Sequence, residues 1–407
     1  MKVPYAKSVH GDEEIEAVVA VLKGNTALGA QTNEFEGKIA SLFGKQYGVM
    51  VNSGSSANLL AFEVMNLKPG DEVITPLLTF GTVVAPILQK GLLPVFVDVE
   101  EGTYVIHPDA VEAAITPRTR VLMIPSLLGN IPNLERLREL ADRHNLWLVE
   151  DSCDTLGATY KGRRTGEYSH ITTTSFYGSH IINGAGGGGM VMVHDAKLAE
   201  RLVVLRGWGR QSSLYGETAS SELLENRFTV ELEGVPYDNK FVFSEIGYNF
   251  LPLEISSAFA LKQLDRFPEF ARARKQHFAE LYAFFSKYEN YFILPKQTQD
   301  SETNWLAFPI IIRDEAPFNR KELATFLEKN GIQTRPVFTG NILKQPAYKN
   351  IPHRLAQEAY PHTELIMRGG MVFACHQGLD DAQLRHIYNS IDAFITGTLN
   401  SIFVKTG

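Results

Sequence analysis

The sequence predicts an α/β fold: a doubly wound, mostly parallel sheet, followed by a smaller C-terminal α+β domain. Three observations carry this. Between residues 47 and 151 short apolar runs alternate with stretches of helical period, as in a parallel sheet covered on both faces. Ligand-binding residue types recur where those runs end: Ser53 to Ser56, Asp151, and Ser175 to His180. Ligands of open α/β sheets sit at that edge. Beyond residue 266 the pattern changes to a long charged helix and then mixed strands and helices.

In chain order, residues 10–24 read as a helix with Asp12, Glu13 and Glu14 in its first turn and Gly24 at its stop. Residues 29–44 hold a second helix with Phe35, Ile39, Ala40 and Phe43 on one face. The run Tyr47 to Val51 is a buried strand leading into Asn52-Ser53-Gly54-Ser55-Ser56-Ala57-Asn58 and then a helix. Strand, Gly/Ser turn and helix form an anion-binding arrangement, because free N–H groups and the helix dipole face the turn. Strands follow at 72–75, 93–98, 120–125 and 146–151, with helices near 80–89, 108–115 and 133–144. A strand at 170–176 ends in Ser175-Phe176-Tyr177. His180 follows, and Gly186 to Gly189 precede the apolar run Met190 to Val193.

Residues 207–245 lack periodicity and read as a long loop or insertion within the first domain, residues 1–265. The second domain, residues 266–407, begins with a helix from Phe267 to about Tyr288. Strands at 305–312 and 334–338, a helix at 320–330 and a final helix at 380–395 complete it.

The totals narrow the function. The chain has 407 residues, 44% hydrophobic and 21% charged, with a net charge of −7. No basic footprint for nucleic acid stands out. No apolar run reaches bilayer-spanning length, and the first residues lack an apolar signal core. Two distant cysteines, Cys153 and Cys375, build neither a disulfide framework nor a cysteine-ligated cluster within one chain. A cytoplasmic enzyme is the expectation.

Each candidate residue has a plain alternative. Asp151 ends an apolar strand, where an unpaired carboxylate is costly. It either caps a following helix or pairs with a protonated ring nitrogen, as in pyridoxal-type sites. The Ser53 to Ser56 turn is common by itself, but with Ser175 at the same edge it can hold a phosphate. Phe80 is either core or a stacking face. His180 is either structural or a general base. Arg335, Asn341 and Gln345 form either a surface turn or a recognition loop for a polar anionic ligand such as a nucleotide-linked sugar.

These segments together resemble the DegT/DnrJ/StrS family of fold-type I, vitamin B6-dependent sugar aminotransferases and dehydratases. The resemblance is nearest to the nucleotide-4-keto-6-deoxyhexose 3-dehydratases. It runs through Glu34-Phe35-Glu36, Ser53 to Leu60, Pro94 to Val99, Ala114 to Pro117 and Ile124 to Asn130. It continues through Asn145 to Asp154, Ser175-Phe176-Tyr177, Trp208-Gly209-Arg210, Gly247-Tyr248-Asn249, Gly340 to Pro346 and Gly378-Leu379.

The resemblance implies roles. Asp151 would pair with the pyridinium nitrogen of pyridoxal or pyridoxamine 5′-phosphate, and Asp154 would sit near its phenolic oxygen. Ser55, Ser56 and Ser175 would bind the phosphate, with Asn249 supplied by the neighbouring subunit of a homodimer. Phe80 would stack on the ring. His180 stands where the family's aminotransferases carry a cofactor-bonding lysine, and the 3-dehydratases carry a histidine there. The implied reaction is loss of the sugar's C3 hydroxyl, with His180 as a base whose pKa lies near the working pH.

Two departures accompany this. The loop after Trp208-Gly209-Arg210 has no cysteine, so no iron–sulfur cluster is expected, and glutamate would regenerate the pyridoxamine form. Ala185 stands where the family carries a glutamate. The competing readings are a nucleotide-sugar aminotransferase that tolerates His180, and a catalytically silent ligand-binding homologue.

Overall fold

The computed structural model describes residues 1–215 and 223–406, the side chains of Asn226 and of 401–406 excepted. Its centre is an eight-stranded sheet. In spatial order the strands are Tyr47–Val51, Gly189–Val193, Ile171–Ser175, Trp147–Asp151, Thr119–Pro125, Glu72–Pro76, Leu93–Val97 and Arg354–Leu355. Among them only Gly189–Val193 runs antiparallel to its neighbours. The other seven therefore end at one edge.

Alternation along each strand explains why the sheet is covered twice. Val121 and Met123 face one core with Leu60, Ala61, Leu202 and Leu205 of the helices Gly54–Glu63 and Ala196–Arg206. Leu122 and Ile124 face the other with Leu137 and Leu140 of the Leu134–His144 helix. Strands buried on both faces read as continuous apolar runs, which is how they look in the sequence.

The smaller sheet is antiparallel, in the order Phe292–Ile293, Phe308–Ile312, Gly370–Phe373 and Arg335–Pro336. It packs on the helices Phe267–Phe285, Arg320–Lys329 and Asp381–Thr406. The strand expected at 334–338 shrinks to two residues, since Pro336 lacks a donor and Phe338 turns to φ 42°. Gly370–Phe373 and the helix before it, Pro361–Gly369, have no counterpart in the sequence reading.

Two segments cross the boundary expected at residue 265. Val3 bridges to Ile332 of the second part. Arg354–Leu355 return to pair with Leu93–Val97 at the edge of the large sheet. There the Arg354 guanidinium grips the fully buried carboxylate of Glu72 at 2.9 Å.

The 207–245 stretch is more ordered than its lack of periodicity suggests. It holds a 3-10 turn at Gln211–Tyr215, a short helix at Leu224–Arg227 and a hairpin pairing Val230–Leu232 with Val235–Tyr237. Glu233 and Gly234 both take positive φ at the hairpin turn. Residues 216–222 of the stretch lie outside the described residues. No helix among the described residues is long and apolar enough to cross a membrane.

Candidate active site

At the carboxyl edge of the large sheet the chain encloses a cavity of about 310 Å³. Six of the eleven expected site residues line it: Ser55, Phe80, Asp151, Asp154, Ser175 and His180. They arrive from separate strand ends, so the parallel topology does the gathering.

The first wall is the start of the Gly54–Glu63 helix. Ser53 caps it, its Oγ accepting from Ser56 N at 3.1 Å. The first-turn N–H groups have no intrahelical acceptor and lie next to the cavity. Ser56 does not line the cavity: its hydroxyl donates to Asn52 Oδ1 at 2.6 Å.

Asp151 is buried at its strand end. Its Oδ2 accepts from Asn58 Nδ2 at 2.8 Å and its Oδ1 from Cys153 N at 3.0 Å. Thr173 donates to Asn58 Oδ1 at 2.6 Å, which fixes the orientation of the amide. No helix begins here, so the helix-cap alternative falls away.

Asp154 Oδ2 accepts from Leu128 N at 2.8 Å. Burial pushes its pKa up to about 7, and the nearby Asp151 charge adds to the rise against the Leu128 bond.

His180 is tied down through Nδ1, 3.2 Å from Ser175 O. A carbonyl only accepts, so Nδ1 carries the proton and Nε2 keeps a free lone pair. Burial pushes the imidazole down to about 4, and the Arg274 charge reinforces the drop. The Ser175 carbonyl and Asp151 oppose it. The expectation of a pKa near the working pH is therefore corrected: desolvation of the cation keeps this ring neutral well below it.

The glycine run has a structural cause. Gly188 takes φ +133°, bridges to Ser53, and accepts from Phe176 N at 2.9 Å. A Cβ on Gly189 would fall 2.3 Å from the Ser53 backbone. These glycines let two backbones touch. Ala185 is exposed, in the left-handed region at φ 55°, and does not line the cavity.

The remaining expected residues lie elsewhere. Asn341 caps the turn Ile342–Lys344 and donates to Glu364 at 2.7 Å. Gln345 donates to Thr339 O at 2.8 Å. Asn341 ties its loop to the Pro361–Gly369 helix and Gln345 closes the loop on itself, and neither amide lines the cavity. Arg335 is exposed beside Glu328 and over the Tyr5 ring, outside the cavity. Asn249 is also exposed and does not line the cavity of its own chain.

Other lining residues escaped the sequence reading. Phe338 meets Phe80 edge-on at 5.9 Å. Ser126 follows the Thr119–Pro125 strand as Ser175 ends its own, so the same logic could have found it. Its Oγ is buried without a hydrogen-bond partner, an orphan that a ligand can satisfy. Asn58, behind the cavity wall, was visible as a polar residue followed by the apolar stretch Leu59 to Phe62.

Residues 9–392 match the model of the DegT/DnrJ/EryC1/StrS aminotransferase family. The chain is 38% identical to a dTDP-4-dehydro-2,6-dideoxy-D-glucose 3-dehydratase of Saccharopolyspora spinosa, over 94% of this chain and 84% of that one. It is 30% identical to a GDP-4-keto-6-deoxy-D-mannose 3-dehydratase of Yersinia pseudotuberculosis, over 95% and 97%. It superposes with a TM-score of 0.85 on a solved GDP-4-keto-6-deoxymannose-3-dehydratase with a trapped PLP-glutamate geminal diamine, at 28% identity over 96% and 100%.

Proposed function

Because the chain belongs to the DegT/DnrJ/EryC1/StrS aminotransferase family, we propose that it is a vitamin B6-dependent lyase. It removes the C3 hydroxyl of a nucleotide-linked 4-keto-6-deoxyhexose, with His180 as the base. The observation that carries this is a neutral histidine, tied through Nδ1, facing the cavity where a cofactor-bonding lysine would otherwise stand.

The cavity residues fit pyridoxal or pyridoxamine phosphate. The first turn of the Gly54–Glu63 helix, with the hydroxyls of Ser55 and Ser175, would hold the phosphate. Asp151 would balance a protonated ring nitrogen, oriented by Asn58 and Cys153. Phe80, 51% exposed at the cavity wall, offers a ring face, and Ser126 Oγ an unused hydroxyl. When bound, the cofactor supplies an electron sink that lets the bond to the C3 oxygen break.

The chain's own work is proton handling and exclusion of water. His180 Nε2 takes the proton while Nδ1–H stays on Ser175 O, so the ring need not turn. Phe80 and Phe338 close one side with apolar surface. A histidine forms no stable covalent link with the cofactor, so the non-covalent contacts of the cavity residues alone would hold it. Glutamate is the proposed amino donor, and the cycle needs no iron–sulfur cluster.

A second copy of the chain completes the site in this reading. Phe241, Phe243, Ile246 and Leu253, near Asn249 in sequence, are exposed apolar side chains of the kind an interface covers. Asn249 would reach the partner's phosphate site from there.

The test is incubation with a nucleotide-4-keto-6-deoxyhexose, pyridoxal phosphate and glutamate, with the sugar weighed by mass spectrometry. A 3-deoxy sugar with released ammonia is expected. An amino sugar, or unchanged substrate, would overturn the reaction assigned.

A further inference from the structure

Arg274 lies on the Phe267–Phe285 helix and is 1% exposed. Among the described residues no carboxylate pairs with it. Its hydrogen bonds go to one amide and two carbonyl groups. Burying a guanidinium without a counter-charge is costly, so what it holds matters.

We propose that Arg274 is the common anchor of the two ends of the active site, positioning His180 through Gln377 and Asp154 through Leu306 and Leu128. This rests on the reading of His180 as the base.

The first branch starts at Nε, which donates to Gln377 Oε1 at 2.8 Å. Arginine donates only, so the amide oxygen must face it and the amide nitrogen must face away. That nitrogen donates to Ile181 O at 3.2 Å, on the residue next to His180. The second branch starts at Nη1, which donates to Leu306 O at 3.0 Å. Leu306 N donates to Leu128 O at 2.8 Å, and Leu128 N to Asp154 Oδ2 at 2.8 Å. Leu128 sits at φ 59°, a conformation unfavourable to leucine that needs support from both sides. One cation thus sets the placement of the base and of a carboxyl group that lines the same cavity. Its charge also acts on His180, where Asp151 and the Ser175 carbonyl work against it.

Gln377→Glu separates this from a general structural role. It keeps the size and the pairing with Arg274, but loses the N–H to Ile181 and offsets the cation. Gln377 is only half-buried, so the fold tolerates the change. The His180 ring is titrated by NMR in the full-length protein without substrate, with His180→Asn identifying its signal. Gln377→Glu and Arg274→Gln are expected to raise the midpoint by about half a unit or more. They are also expected to lower kcat about 10-fold or more with little change in KM. Arg274→Lys should keep the midpoint and still lose rate. If Gln377→Glu folds normally and leaves midpoint and kcat unchanged, the anchor is overturned. The midpoint tests the anchor even where the reaction assigned above proves wrong. A shifted midpoint in a protein that leaves the sugar unchanged supports the anchor and overturns only the reaction.

Discussion

Asn58 and Asp151 meet at 2.8 Å, amide nitrogen to carboxylate oxygen, across 93 residues of sequence. The contact joins the first helix of the site to its central strand, and Thr173 locks it from the next strand. Asn58→Ala should strand a buried carboxylate and a buried hydroxyl at once. A loss of about 2 kcal/mol in stability is expected, with weaker cofactor binding. Urea denaturation and titration with pyridoxal phosphate check both.

His180→Asn removes the proposed base and keeps a polar group near Ser175 O. Turnover should fall about 10²- to 10⁴-fold with the cofactor still bound. Borohydride should trap no covalent adduct between cofactor and wild-type protein, as mass spectrometry of the intact chain will read.

Acid should weaken the fold in a defined window. Burial pushes His170, His180 and His376 down from 6.5 to about 4. Between these values the unfolded chain binds more protons, so stability is lost as pH falls from about 6.5 to 4. Asp154, pushed up to about 7, works in the opposite direction because the folded chain holds its proton there. Thermal midpoints should therefore drop on acidification, more steeply in Asp154→Asn.

Gly54→Ala would place a methyl group 2.7 Å from Ser175 Cβ and 2.9 Å from Cys153 Sγ. The helix start must move away from the Ser175 strand, at a cost of about 1–3 kcal/mol. Cofactor affinity should fall with stability, by the same two measurements.

Mixing separates a shared site from a private one. If the proposed homodimer shares its sites, the His180→Asn and Asn249→Asp proteins should each be inactive alone. Exchanged subunits would restore about a quarter of the sites, because half the dimers are mixed and each then carries one intact site. No recovery after proven exchange would remove Asn249 from the partner's site.

Most of the large sheet was legible because its central strands are buried on both faces, and several end at or just before Ser or Asp. Asp151, Ser175 and His180 stood out for the same reason. The two-residue, half-exposed strand Arg354–Leu355 carries no such signal and was missed. The C-terminal part was harder to read. Gly370–Phe373 is short and begins with glycine, and Arg335–Pro336 holds a proline, so neither carries a strand's signature. Asn341 and Gln345 looked like ligand groups because composition does not show that their amides are engaged by Glu364 and the Thr339 carbonyl. Arg274 lay in an ordinary charged helix; only the fold turns it inward. The pKa of His180 depends on burial, which no motif reveals.

The return of Arg354–Leu355 to the large sheet has a consequence for synthesis. Until the ribosome has made residue 355, the Leu93–Val97 edge lacks its last neighbour and Glu72 lacks Arg354. A nascent or truncated chain stopping before that point carries an open strand edge beside a half-neutralised carboxylate. Such edges invite pairing with other chains. The N-terminal 350 or so residues, expressed alone, are thus a fragment prone to aggregation, although they contain every residue lining the cavity.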